Sequence, residues 1–136
     1  MPLDFSSLNR ALLSLRRGAE RSLREPGDAE VRDGVIQRFE YSYELCWKML
    51  KRQLERELPN PGDADRMSFT ELVREGAERG LVAKPERWLR YRHYRNATSH
   101  AYDEAKAREV HAAAIEFLDD AEALLAALEA RGTRGD

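Results

Sequence analysis

A single cysteine, Cys46, in 136 residues excludes an intramolecular disulfide framework and a cysteine-built zinc site. No apolar run approaches the roughly 18 residues that a membrane span needs, so no membrane association is expected. The opening Met1-Pro2-Leu3-Asp4 lacks the basic and apolar regions of a secretion signal, and a cytoplasmic protein is the expectation. The chain also lacks a phosphate-cradling glycine loop, a metal-ligand spacing and a serine or cysteine triad signature. Any chemistry is therefore expected to need neither cofactor nor metal. Net charge is only −2, so no global field draws nucleic acid. What remains is a chain with 42% hydrophobic and 35% charged residues, the balance of an α-rich domain with a modest core and a charged surface. Residues 1–131 read as one domain and residues 132–136 as a frayed tail.

Five segments have helical periodicity and none reads as strand. Phe5, Leu8, Leu12, Leu15, Ala19 and Leu23 recur at three- or four-residue steps, one apolar face of a helix, which Pro26-Gly27 stops. The second helix runs over about 28–58 on a stripe of Val31, Val35, Phe39, Tyr43, Cys46, Leu50 and Leu54, widened by Ile36, Trp47 and Met49. Cys46 on that stripe belongs to the core. Gly34 interrupts the pattern, at about 1 kcal/mol relative to alanine. Pro59-Asn60-Pro61-Gly62 ends it. The third helix starts at Ser68, which has capping-box spacing to Glu71, and closes at Gly80. The fourth starts near Pro85 and is expected to end near Thr98 or Ser99. Asp103 caps the fifth, which Arg131-Gly132 closes. The predicted fold is all-α, an antiparallel bundle of four to five helices.

The chemistry concentrates in Arg95-Asn96-Ala97-Thr98-Ser99-His100-Ala101-Tyr102. Arginine grips phosphate bidentately and histidine moves a proton near neutral pH, a minimal kit for holding or cutting a phosphodiester. The plain alternatives are a surface ion pair for Arg95, a helix-end cap for Asn96, a satisfied boundary position for His100 and packing for Tyr102. Just upstream, positions 84–95 carry five basic residues (Lys84, Arg87, Arg90, Arg92, Arg95) against Glu86, with Trp88, Tyr91 and Tyr94 interleaved. That run suits phosphate and base contacts, through Arg92, Tyr94 and Arg95 above all, or is simply a solvated helix face. Asp33, Glu40 and Glu44 either face these arginines or form a solvated face, the simpler expectation. On a continuous helix Arg95 and His100 would point about 140° apart. If both act on one phosphate, either the helix breaks between them or a second subunit supplies one of them.

The Arg95-Asn96-x3-His100 pattern resembles the signature of the HEPN superfamily of helical nucleic-acid-processing domains. Its continuation to Tyr102 resembles the form in HepT-type toxins, which are paired with MNT-type minimal nucleotidyltransferase antitoxins. A second block, from Ile36 to Lys51 (IQRFEYSYELCWKMLK), resembles the nucleotidyltransferase substrate-binding protein family of that superfamily. The likeness covers about 8–125.

The resemblance implies a homodimer with its Arg/His motifs meeting in a cleft near the two-fold axis, and an MNT-type nucleotidyltransferase partner encoded nearby. In HepT-like members it implies a metal-independent ribonuclease. Arg95 would then stabilise charge on the scissile phosphate, His100 act as general base or acid, and Asn96 orient the histidine or the phosphate. Silencing would come from AMP transfer to Tyr102. The alternative role is a non-catalytic substrate- or nucleotide-binding subunit, in which Arg95 and the basic run bind a nucleotide or acceptor and the transferase does the chemistry. The partner molecule is RNA or a nucleotide in either case.

Overall fold

The computed structural model describes residues 2–135, with side chains described through residue 132. Among the described residues there are six α-helices, one 3-10 turn and no strand. The five expected helices are present, and the fold is the predicted all-α bundle.

Helix α1 spans Ser6–Arg24 and buries Leu8, Leu12, Leu15 and Ala19. The chain reverses at Pro26-Gly27, and Asp28 caps α2 by accepting hydrogen bonds from the Glu30 and Val31 amides at 3.0 and 3.2 Å, two of the donors a helix start leaves unpaired. Helix α2, Ala29–Glu57, buries Val35, Phe39, Tyr43, Cys46, Leu50 and Leu54. The Pro59-Asn60-Pro61-Gly62 stretch does more than end it. Asn60 Oδ1 accepts from the Gly62 amide at 3.1 Å, an Asx turn that starts a short α3, Gly62–Arg66, with Ala64 buried. The sequence pattern offered no period long enough to reveal that turn.

Helix α4, Phe69–Glu78, opens with the expected capping box between Ser68 and Glu71. It closes with a Schellman motif, in which the Leu81 amide donates to Gly76 O at 2.8 Å and the Gly80 amide to Ala77 O at 3.1 Å. Gly80 takes φ +80° there, a conformation costly for a residue with a Cβ. Helix α5, Pro85–Asn96, ends two or three residues earlier than expected and passes into the 3-10 turn Ala97–His100. Asp103 then starts α6, Glu104–Gly135, by accepting from the Lys106 amide at 3.1 Å. Helix α6 continues past Arg131-Gly132, the expected stop, because Gly132 does not take the positive φ that ends a helix. The expected frayed tail falls largely outside the described side chains.

Helices α1, α2 and α6 pack on one another, α4 packs on α2 and α5, and α5 packs on α2 and α6. Phe117 of α6 sits at the centre, with the rings of Phe39, Trp88 and Tyr91 edge-on at 5.1, 5.5 and 5.3 Å, the geometry aromatic quadrupoles favour. This cluster clamps α5 between α2 and α6 and so sets the position of everything at its C-terminal end. No described helix is long and apolar enough to cross a membrane.

Candidate functional site

The α5 end is pinned to α2 by polar contacts. Arg95 Nε donates to Glu44 Oε1 at 2.9 Å, and its Nη2 lies 3.8 Å from Glu40 Oε1. The other Glu44 oxygen accepts from Trp47 Nε1 at 3.0 Å. Thr98 Oγ1 lies 2.9 Å from Glu40 Oε2 and 2.8 Å from the Arg95 carbonyl, sharing its one proton between two acceptors. A hydroxyl that bonds backward in this way competes with helix propagation, and the backbone tightens into the 3-10 turn here. Glu40 and Glu44, four residues apart, thus share the α2 face that meets α5. This corrects the expectation of a solvated face; only Asp33 fits it, exposed and 3.7 Å from Arg32 Nε. The signal was in the spacing, since positions 40, 44 and 47 lie on one face of a helix.

The motif divides into two groups. Arg95 and Asn96 line a cavity of about 440 Å³, together with Arg92 and, from α2, Tyr43, Glu44, Trp47 and Lys51; Met67, Phe69 and Leu72 complete the wall. Arg95 is therefore only 30% exposed on its side chain, less open than a free phosphate-gripping arginine. Asn96 makes no capping bond and is exposed. His100 and Tyr102 are not in this lining. Their rings lie 6.1 Å apart, His100 is exposed, and Tyr102 is 86% exposed with no packing role. The α-helix does give way to a 3-10 turn between Arg95 and His100, and within one chain only Arg95 of the two lines this cavity.

The basic run resolves unevenly. Trp88 and Tyr91 are buried in the core and are unavailable for base contacts. Arg87 pairs with Asp120 and Glu116 at 2.9 and 2.8 Å, and Arg90 also pairs with Glu116, so both charges are spent on α6. Tyr94 is half-buried against the core, with the His93 ring edge-on at 5.2 Å. Arg92 is exposed, lies 5.0 Å over the Phe69 ring, and makes no ion pair among the described residues. Burial pushes the Cys46 thiol and the Tyr43 phenol above their ordinary values, which keeps both protonated and excludes Cys46 as a nucleophile at neutral pH.

Sequence reasoning also passed over His111. Its Nε2 is 2.9 Å from Ser22 Oγ, and that hydroxyl donates to Ala19 O at 2.8 Å. The network assigns the Nε2 proton to the imidazole. Burial first, then the nearby Arg32 charge, lower the His111 pKa from 6.5.

Comparison with known proteins agrees with the all-helical fold. The profile of the family described as "Nucleotidyltransferase substrate binding protein like" matches residues 3–130. A Haemophilus influenzae protein described as "Probable ribonuclease HepT" is 42% identical over 98 residues, covering 72% of this chain and 67% of that one. The solved structure of HI0074 from Haemophilus influenzae, described as the fold of a substrate-binding domain of a nucleotidyltransferase, superposes with a TM-score of 0.85 at 34% identity, over 93% of this chain and 99% of that one. With its profile matched nearly end to end, this chain belongs to the nucleotidyltransferase substrate-binding protein-like family.

Proposed function

We propose that this chain is the HEPN-type partner of a minimal nucleotidyltransferase, a homodimeric, metal-independent ribonuclease silenced by AMP transfer to Tyr102. The observation that carries this reading is the break at Asn96-Ala97. It leaves Arg95 on the cavity rim, oriented by Glu44, and turns His100 and Tyr102 outward. A second copy is then the natural source of the missing half of each site.

In such a site the Arg95 guanidinium, gripped on one edge by Glu44, offers its remaining N–H groups to the scissile phosphate and stabilises the growing negative charge. The His100 imidazole makes no side-chain hydrogen bond among the described residues and is free to accept the ribose 2′-hydroxyl proton. The 2′ oxygen attacks the adjacent phosphorus, the 5′ oxygen leaves and takes up a proton, and the products are a 2′,3′-cyclic phosphate and a 5′-hydroxyl. AMP on Tyr102 adds bulk and negative charge beside His100, excluding RNA by occlusion and repulsion.

One observation favours a second reading, a non-catalytic substrate-binding subunit: the cavity contains Arg95 and Asn96 but neither His100 nor Tyr102. Incubation of the protein with single-stranded RNA in EDTA separates the two. Cyclic-phosphate ends, lost in His100→Gln and in Arg95→Ala, support the ribonuclease. Binding without cleavage supports the subunit.

A further inference from the structure

We infer that the cavity between α2, α4 and α5 is a nucleobase subsite, which seats one unpaired base of a nucleotide while Arg92 and Arg95 hold its phosphates. The inference rests on the proposed RNA-directed role of Arg95 and names what lies beside the scissile phosphate.

Three features carry it. The volume, about 440 Å³, lies in the range of about 300–1,000 Å³ typical of small-ligand sites. Its walls mix aromatic and cationic side chains from separate elements: Trp47 on α2, Phe69 on α4, and Arg92 on α5, whose guanidinium lies 5.0 Å over the Phe69 ring. Unpaired bases stack on such aromatic and guanidinium planes. Lys51 is tied to Asp65 at 2.8 Å, which leaves Arg92 as the wall's cation without an ion pair among the described residues. Finally, one carboxylate joins this wall to the motif. Glu44 accepts from Trp47 Nε1 at 3.0 Å with one oxygen and from Arg95 Nε at 2.9 Å with the other. A base against Trp47 therefore lies one side chain away from the arginine assigned to the phosphate. The spare lone pairs of Glu44 point to a base that presents an amino or imino N–H.

Trp47 is partly exposed while Trp88 is buried in the core, so quenching of Trp47 emission reads occupancy of the cavity directly. The probes are a five-nucleotide single-stranded RNA, AMP, GMP, and the same five-mer made abasic. The expected result is quenching by probes that carry bases, at most weak quenching by the abasic strand, and no base-dependent signal in Trp47→Phe. Phe69 also packs on the Tyr43 ring at 5.8 Å. Phe69→Leu keeps apolar volume there while removing the stacking plane, and is expected to weaken binding about tenfold. Quenching by the mononucleotides as strong as by the five-mer assigns the cavity to a free nucleotide; stronger binding of the five-mer assigns it to RNA. Equal binding of abasic and base-carrying strands, or unchanged affinity in a folded Phe69→Leu, overturns the inference. Quenching without RNA cleavage sinks the ribonuclease and leaves the subsite. Cleavage with an unchanged KM in Phe69→Leu sinks the subsite and leaves the ribonuclease.

Discussion

Arg95 of α5 donates from Nε to Glu44 of α2 at 2.9 Å, so the motif arginine is anchored through one edge before any substrate arrives. The second acidic group, Glu40, stands further off at 3.8 Å. Pre-orientation of this kind lowers the entropic cost of gripping a phosphate. It also ties the geometry of α5 to Glu44, 51 residues earlier in the chain, and to Glu40 one helical turn before that.

Glu44→Gln is expected to keep the shape of the contact but loosen the arginine, reducing RNA cleavage or binding by about tenfold, equivalent to about 1.4 kcal/mol. Because both partners are about one-third exposed, the stability change stays within about 1 kcal/mol. Urea melts beside rate measurements check this. A loss of several kcal/mol in the melt would make the pair structural.

Tyr102, exposed and unpacked, is expected to accept AMP. Intact mass after incubation with the proposed MNT-type nucleotidyltransferase partner, ATP and magnesium is expected to rise by one or more AMP units, and Tyr102→Phe is expected to show no gain. The substitution shifts stability by less than about 0.5 kcal/mol. Labelling that persists in Tyr102→Phe assigns another acceptor.

His111 links stability to pH. Its folded pKa is depressed below 6.5, by burial and then by Arg32, so the unfolded chain takes up a proton first on acidification. The stabilisation is complete above pH 6.5 and is lost as pH falls through the folded value. His111 lines a second cavity, of about 370 Å³, together with Arg32 on α2 and Arg108 and Glu104 on α6. Urea midpoints of the wild type are expected to fall between pH 7 and about pH 5.5, above the range in which ordinary carboxylates titrate. His111→Gln flattens that slope; an unchanged slope assigns the loss to other groups.

Two glycines are expected to respond in opposite directions to alanine. A Cβ at Gly34 meets nothing within 4 Å, so Gly34→Ala is expected to stabilise α2 by about 0.5–1 kcal/mol. A Cβ at Gly76 meets Val82 Cγ2 at 2.9 Å and Leu50 Cδ1 at 3.1 Å, where overpacking is expected to destabilise by about 1–3 kcal/mol. Thermal melts of the two variants test both signs. Similar shifts would mean that the α2–α4 contact is looser than these distances.

Five helices, their apolar faces and most of their caps were legible in the sequence. Helical period, the Ser68–Glu71 box, Gly80 and the Asp103 cap are local signals, satisfied within a few residues of themselves. The Arg95-to-Tyr102 motif was legible for the same reason, as a cluster contiguous in sequence. Local signals say nothing of which helix faces which. That Trp88 and Tyr91 turn to Phe117, that Arg87 and Arg90 spend their charge on α6, and that Glu40 and Glu44 meet Arg95 and Thr98 were decided only when α5 settled between α2 and α6. The break after Asn96 belongs to both levels: the Thr98 hydroxyl bonds back to the Arg95 carbonyl, a local competition that the sequence showed, and the same hydroxyl meets Glu40 across the helix interface, a contact 58 residues apart in sequence that no periodicity encodes.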